Sequence, residues 1–534
     1  MCPEADIVPS YLRFTCRLLQ KAAIFAALVA GGALSGAAVA SDVPECEQAC
    51  FVLTGVQLQG VSAFPASELA YTYEDYLTRP VAVEDLVKVA ASITDHYRAE
   101  GYFLTRAAVA PHDGVSGLAT IVVYEGYIDE VIVEGSDPST IRALVGPLGR
   151  RDPTTIAELD RRLTLAADLP GYSLESRIEP VLGDPAGHRL VVTPEFERYS
   201  AYARVTNRGS DTQGPWQVYV SAAANSIIAD GDQMTLAAST TPQNPDELTS
   251  AKWGYSLPLS DGRRLEAGVS GYTTNAKPSS TNGRLSGQSV EVWMNLAQPL
   301  IRKRKQSLWL NTSIDVREKQ QTYAQSGRAD ETLAVARASL FAWQRFADGY
   351  LSSSLEVSQG LEAFGATVGN APNLSRSNAD GIFTKLNARV SGYTDVWRFL
   401  GIYAEVSGQW SNDPLLSSEE FSVGGPTYGR AYNFGEVSGD MGAAAAIELR
   451  AGWDPDFAPV SFFQTYAFYD AASVSNYTRT GTRSNELSSA GVGVRVTFKD
   501  RTTFRAELAK PLDWVPYTET DNDWRAFVTL SRQF

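Results

Sequence analysis

The sequence predicts an all-β transmembrane barrel of about 16 antiparallel strands, preceded by two small α+β domains of β-α-α-β-β order. Three observations predict it. A targeting segment opens the chain, and no later stretch approaches the ~18 to 20 continuous apolar residues that a spanning helix needs. Residues 51–196 mix helical and strand periods, in a pattern that runs twice. After Arg198 the helical period disappears, and apolar and polar residues alternate to the C-terminus.

The targeting segment has three parts. Arg13, Arg17 and Lys21 form a positive stretch, "AAIFAALVAGGALSGAAVA" is an apolar run, and Ala38-Val39-Ala40 before Ser41 fits small-residue cleavage. Residues 1–40 are therefore expected to be a signal peptide and 41–50 a short N-terminal segment. Of four cysteines, Cys2 and Cys16 lie in the signal. Cys46 and Cys50 remain, and outside the cytoplasm a Cys-x-x-x-Cys pair can close a small disulfide. No Cys or His stands nearby in sequence to complete a zinc site, so no metal is expected.

The first mixed domain is placed at 51–125. "FVLTGVQLQG" reads as a strand. "VAVEDLVKVAASITDHYRAEG" puts Val83, Leu86, Val87, Ala90, Ile93 and Tyr97 on one helical face and stops at Gly101. "YFLTRAAVAP" and "LATIVVYEG" read as two strands. The second domain, 126–196, repeats the order. "IDEVIVEG" is a strand and "DPSTIRALVG" a short helix. A second helix has Asp152 as N-cap, Pro153 in its first turn and Ile156, Leu159 and Leu163 on one face. "SLESRIEPV" and "HRLVVTPEF" follow as strands.

The barrel is expected over 197–534. "SLWLNTSIDVR" sets Leu308, Leu310, Thr312, Ile314 and Val316 against Trp309, Asn311, Ser313, Asp315 and Arg317. "LGIYAEVSG" and "GVGVRVTFK" alternate in the same way. One apolar and one charged face fit a strand between lipid and a polar lumen; a soluble β-sandwich would alternate as well, and the length and number of the strands favour the barrel. Asp230-Gly231, Asp261-Gly262 and Asp348-Gly349 are tight-turn dipeptides. Arg302 to Lys305, "RKRK", reads as a short turn with a solvated charged face. Trp309, Trp397, Trp410 and Trp453 are expected in the interfacial girdles. "WRAFVTLSRQF" ends the chain with Trp524, Ala526, Val528, Leu530 and Phe534 in one parity, interrupted by Arg532.

Between two such strands lies "FSVGGPTYGRAYNFGEVSGDMG", a glycine-rich stretch with one arginine. Together with the two mixed domains, the hairpin "ARVTNRGSDTQGPWQVYVSAAANSIIADGD" and "FFQTYAFYDAASV", it resembles the two-partner secretion transporters, the haemolysin-activator type. In that family the mixed domains are POTRA domains. The resemblance implies a loop, about 411–440, folded back into the lumen as a latch. It carries Gly424, Gly425, Arg430, Tyr432 and Asp440, and Arg430 would contact Asp470 of the partner strand. An ion pair suits that place, because an unpaired guanidinium in a narrow lumen is costly and a carboxylate can hold it bidentately. Ala431 and Ala472 stand where the family has glycines. The family's plug helix and linker have no counterpart, which implies a lumen gated by the loop alone. The family's first-domain disulfide often uses a cysteine further along; here Cys46 and Cys50 are the candidates.

The resemblance implies an outer-membrane translocator of a Gram-negative bacterium. Its periplasmic POTRA domains would bind an unfolded, β-rich exoprotein, adding it as an extra strand at an exposed sheet edge, and the barrel would pass it to the cell surface. Outer-membrane lipid and the barrel-assembly machinery are the other expected partners. The alternatives are a barrel-assembly insertase of the same superfamily and a passive gated pore. With 46 Lys+Arg against 61 Asp+Glu, the balance speaks against nucleic acid. His96, His112 and His188 all precede the barrel and read as surface or loop residues; no nucleophile, zinc-protease or phosphate-loop motif occurs. No enzyme activity, catalytic residue or cofactor is expected.

Overall fold

The computed structural model describes residues 50–534 except 112–115, 136–137, 211–212, 277–284, 324–326, 370, 456, 458, 479 and 518. The expected signal peptide, Cys46 and His112 lie outside the described residues.

In the first unit, Gly55–Gln59 runs parallel to Leu118–Tyr124, which pairs antiparallel with Arg106–Val109. Helix Val83–Ala99 buries Leu86, Val89, Ala90, Ile93 and Tyr97 against this sheet. Val83 and Val87 are exposed, contrary to the expected face, because the buried stripe turns through Val89. The other expected helix is two 3₁₀ turns, Ala66–Thr72 and Glu74–Tyr76. After Pro65 no apolar run is long enough to sustain an α-helix. Only Arg106–Val109 of the expected "YFLTRAAVAP" strand is extended; Tyr102 instead closes the helix end, its N–H donating to the Tyr97 carbonyl at 2.8 Å.

Glu125 is the polar hub of this unit. Its carboxylate accepts from the Ser62 and Ala63 amides at 2.7 and 2.9 Å, from Tyr97 Oη at 2.6 Å and from Ser62 Oγ. Burial pushes this carboxyl up, but the donors outweigh burial and hold it below the usual carboxylate range. A depressed value stabilises the fold above the ordinary carboxylate pKa of about 4.3, and that stabilisation is lost as pH falls through the folded value. Glu125→Gln should therefore open the unit by about 1–3 kcal/mol at neutral pH. Amide exchange over residues 55–63 checks this: the variant should exchange faster at pH 7, and the difference should shrink as pH falls through the lowered value of the Glu125 carboxyl.

In the second unit, Tyr127–Val133 runs parallel to Gly187–Phe196, which pairs antiparallel with Tyr172–Pro180. Helices Ser139–Val145 and Ile156–Ala167 cover the sheet, burying Ile141, Leu144, Leu159 and Leu163. The N-cap is Thr155, not Asp152: Thr155 Oγ1 accepts from the Glu158 amide at 3.2 Å. The run Asp152-Pro153-Thr154 stays non-helical, and Thr154 Oγ1 accepts from the Ile128 amide instead. Ile156 is 40% exposed, so the buried face begins at Leu159.

Sixteen antiparallel strands then close a barrel, from Tyr199–Thr206 to Arg525–Gln533. The seam pairs Thr206 with Thr529 through Tyr202 with Gln533. Outward residues such as Val290, Val292 and Val406 are exposed, while Asp315, Glu405 and Glu448 of the opposite parity are buried inside. Trp410 and Trp453 share the outward parity and are exposed, and Trp397 is exposed beside its turn. Trp309 does not belong with them. It shares parity with Asp315 and faces the lumen, with the Arg264 guanidinium 5.7 Å from its ring. At the C-terminus Trp524, Leu530 and Phe534 are exposed. Arg532 breaks the apolar parity at the rim, where it pairs with Asp500 at 3.3 Å.

The second unit docks on the turns at one rim. The Ser139 amide and hydroxyl both donate to Asp230 Oδ2, at 2.9 and 2.7 Å. Gly262 adopts φ +87°, and a Cβ there would come within 2.8 Å of Leu165. The "RKRK" turn, expected to be solvated, is part of this junction. Arg302 grips Asp168 with two hydrogen bonds of 2.6 Å, and Arg304 reaches Asp160 at 3.0 Å. Helix Ile156–Ala167 and the residue after it supply the two carboxylates, a long-range match that a local reading of the turn does not contain.

Candidate functional site: the lumenal loop

Residues 412–440 connect strands Leu400–Ser411 and Met441–Trp453. They form a hairpin, Phe421–Val423 paired with Val437–Gly439, that lies inside the barrel. Val423, Tyr432 and Val437 pack on Ala444, Ala472, Val474 and Leu487 of the inner wall. The small inward residues of "MGAAAAIELR" leave room for it. Gly424 and Gly425 have φ of +106° and +109°, which only glycine adopts readily. A Cβ on Gly424 would sit 2.3 Å from the Asn433 carbonyl oxygen. The Gly424 and Gly425 amides donate to the Tyr428 and Gly429 carbonyls at 3.0 and 3.3 Å, folding the tip tightly.

Arg430 sits at the tip, 4% exposed. Its Nη1 donates to Glu448 Oε1 at 2.5 Å, and Glu507 Oε1 lies at 3.7 Å. The guanidinium carbon is 4.3 Å from the Phe468 ring centre. Asp470 is in contact as well, with Nε to Oδ2 at 3.5 Å, but the pair is not bidentate. Asp470 Oδ1 instead accepts from the Gly429 and Arg430 amides at 2.5 and 3.2 Å and from Ser489 Oγ at 2.7 Å. The aspartate is short and meets the loop backbone. The longer Glu448, on the neighbouring strand, reaches the guanidinium. Glu448 also binds Arg450 at 2.6 Å and Arg495 at 3.1 Å, and Glu507 pairs with Arg208. Arg430 thus completes a network of alternating charges on the wall, in a place where leaving any member unpaired is expensive.

The other expected residues divide between tip and base. Tyr432 is buried at the tip, its ring centre 5.2 Å from that of Trp514. Ala431 keeps an ordinary φ and packs its methyl among Tyr466, Phe468 and Phe527. Ala472 lines the wall against Tyr432. Neither alanine disturbs the tip. Asp440 does not join the tip. It lies at the loop base, fully buried, where both oxygens bind Arg376 of residues 361–383 and also accept from the Leu415 and Tyr477 amides.

Cys50 is disulfide-bonded, and its partner lies outside the described residues. His96 is not a surface residue: it stands in an aromatic nest, its ring 4.9 Å from Phe64, with Tyr71 Oη 3.2 Å from Nδ1. His188 Nδ1 lies 3.0 Å from the Ala186 carbonyl. Among the described residues no cluster of three or more His, Cys, Asp or Glu side chains could hold a metal ion.

Sequence reading missed Glu448, Glu507, Arg376 and Glu419. The inward parity of Glu448 and Arg450 in "IELRAG" was the available signal for the first of these.

A closed β-barrel with its own loop folded inside and α/β units docked on one rim is the architecture of an outer-membrane transporter of the POTRA–barrel type. Residues 189–496 match the model for haemolysin secretion/activation protein ShlB/FhaC/HecB, and residues 51–126 match the ShlB-type POTRA domain. The chain belongs to the ShlB/FhaC/HecB family of haemolysin secretion/activation proteins. It is 23% identical over 491 residues to the heme/hemopexin transporter protein HuxB of Haemophilus influenzae (strain 86-028NP), covering 87% of this chain and 84% of that protein. To the hemolysin transporter protein ShlB of Serratia marcescens it is 24% identical, covering 76% and 72%. Among solved structures, CdiB from Escherichia coli shares the fold with a TM-score of 0.75 at 18% identity, over 92% of this chain and 93% of that one. BamA from Haemophilus ducreyi, lacking POTRA domains 1–3, gives 0.51 at 13% identity, over 91% and 100%.

Proposed function

We propose that the protein carries one large, unfolded, β-rich exoprotein across the outer membrane, and that the lumenal loop is the latch on its path. The two periplasmic α/β units, both read as POTRA domains, capture the client. Their sheet edges, such as Tyr172–Pro180, pair on one side only and offer main-chain hydrogen bonds to an extended segment. The barrel exterior meets lipid, and the C-terminal strand ending in Phe534 addresses the chain to the assembly machinery. Cys46 is the proposed partner of Cys50.

One observation carries this reading: the tip of the loop lies within the lumen with Arg430 buried against the wall. Such an arrangement closes the pore until the tip moves. Planar-bilayer recording of a deletion of residues 424–436 tests it. The deletion should give large, steady openings where the wild type is mostly silent. Equal conductance of the two proteins would place the path elsewhere and overturn the latch.

A further inference from the structure

The loop carries a second ion cluster, of opposite sign, that the Arg430 site does not use. Glu419 is on the limb that descends toward the tip, and is 2% exposed. Three cations surround its carboxylate: Lys385 Nζ at 2.7 Å, Arg337 Nη2 at 3.0 Å and Arg317 Nη1 at 3.5 Å. Lys385 Nζ also donates to the Glu419 carbonyl at 3.0 Å, and Lys319 Nζ donates to Ser417 Oγ at 3.0 Å. Gln409 Nε2 reaches the carbonyls of Glu419 and Asp440 at 3.0 and 3.1 Å, tying together the two ends of the loop.

The two clusters sit on different walls. The cations around Glu419 come from strands Gln306–Tyr323, Gly327–Arg345 and Thr384–Trp397, all before the loop. The carboxylates around Arg430 come from Met441–Trp453, Val460–Thr478 and Thr502–Pro511, all after it. Between Glu419 and Arg430 lie Gly424 and Gly425, with positive φ. A glycine pair between two fixed points is where the backbone can turn most cheaply.

We infer that Glu419 is a second, independent anchor of the loop, and that the tip opens by turning at Gly424–Gly425 while the descending limb stays on its wall. This rests on the latch reading of Arg430 and adds the part that does not move. Glu419 is a positioning residue in this account. It fixes the limb from which the tip swings and so sets how wide a released tip can open the pore.

The test is planar-bilayer recording of the full protein in four forms: Arg430→Ala, Glu419→Gln, the double variant and the 424–436 deletion. Heat-modifiable migration on gels verifies a folded barrel. Arg430→Ala should open to a level below that of the deletion. Adding Glu419→Gln should raise that level by about twofold or more, because the limb no longer narrows the lumen. Lys385→Gln, which removes a wall cation and leaves the loop untouched, should act in the same direction, and Glu419→Asp should restore the smaller level. If Glu419→Gln misfolds, Lys385→Gln with Arg430→Ala carries the test. An unchanged level in the double variant overturns the anchor but leaves the latch standing. Full opening by Glu419→Gln alone, with Arg430 intact, overturns the hinge. If Arg430→Ala and the deletion both stay as silent as the wild type, latch and anchor fall together.

Discussion

Arg430→Ala should raise the open probability of the pore by about a hundredfold, the scale expected when one member of a buried ionic network is removed. The arginine meets three carboxylates on three strands, at 2.5, 3.5 and 3.7 Å, and stacks on Phe468. Its loss leaves Glu448, Glu507 and Asp470 facing each other across the space the guanidinium filled. The tip then has no charge to pair with the wall, while Glu448 keeps Arg450 and Arg495 and Glu507 keeps Arg208, so release of the tip costs less. Arg430→Lys separates charge from shape. A lysine ammonium restores the charge but cannot span three partners or stack as a plane. Open probability should therefore rank wild type below Arg430→Lys below Arg430→Ala. Single-channel recording gives the ranking, and a lysine variant as open as the alanine would show that geometry, not charge, holds the tip.

Asp470 should show the opposite sensitivity, to hydrogen-bond acceptance more than to charge. Its Oδ1 accepts from two loop amides and from Ser489, while Oδ2 has only the 3.5 Å contact with Arg430. Asp470→Asn keeps a carbonyl oxygen where Oδ1 stands and should open the pore modestly. Asp470→Ala strands the Gly429 and Arg430 amides and the Ser489 hydroxyl together, at a cost of about 1–3 kcal/mol for each group left unsatisfied. It should open the pore nearly as much as Arg430→Ala. Equal effects of asparagine and alanine would mean that the carboxylate acts through its charge alone.

Much of this architecture was legible because a barrel strand repeats every two residues. Asp315 and Glu405 could be set on the polar face from parity alone, Asp470 was pointed to by the resemblance to the family, and the glycine-rich stretch before Met441 stood out against that alternation. What parity does not carry is who meets whom across strands. Partners of Arg430 depend on strand tilt and on where the loop backbone descends, so Asp470 came from the resemblance and Glu448 was not found. Trp309 shows the same limit: its parity pointed inward, yet a tryptophan in a barrel invited a place at the interface. The docking of Arg302 and Arg304 on Asp168 and Asp160 joins surfaces more than a hundred residues apart, and nothing local in "RKRK" announces it. In the first unit, Val83 and Val87 were misassigned because a helix with apolar residues at 83, 86, 87, 89, 90 and 93 offers two overlapping stripes. Packing against the sheet selects one of them.

The central claim is that the client travels through the lumen, past the loop. Site-specific photo-crosslinking tests it most directly, with the reactive group placed at lumen-facing Trp309 or at lipid-facing Val406 and a co-expressed exoprotein stalled in transit. The account predicts adducts with the exoprotein from Trp309 and none from Val406. Adducts from Val406 with none from Trp309 would contradict it, because the client would then pass outside the barrel wall.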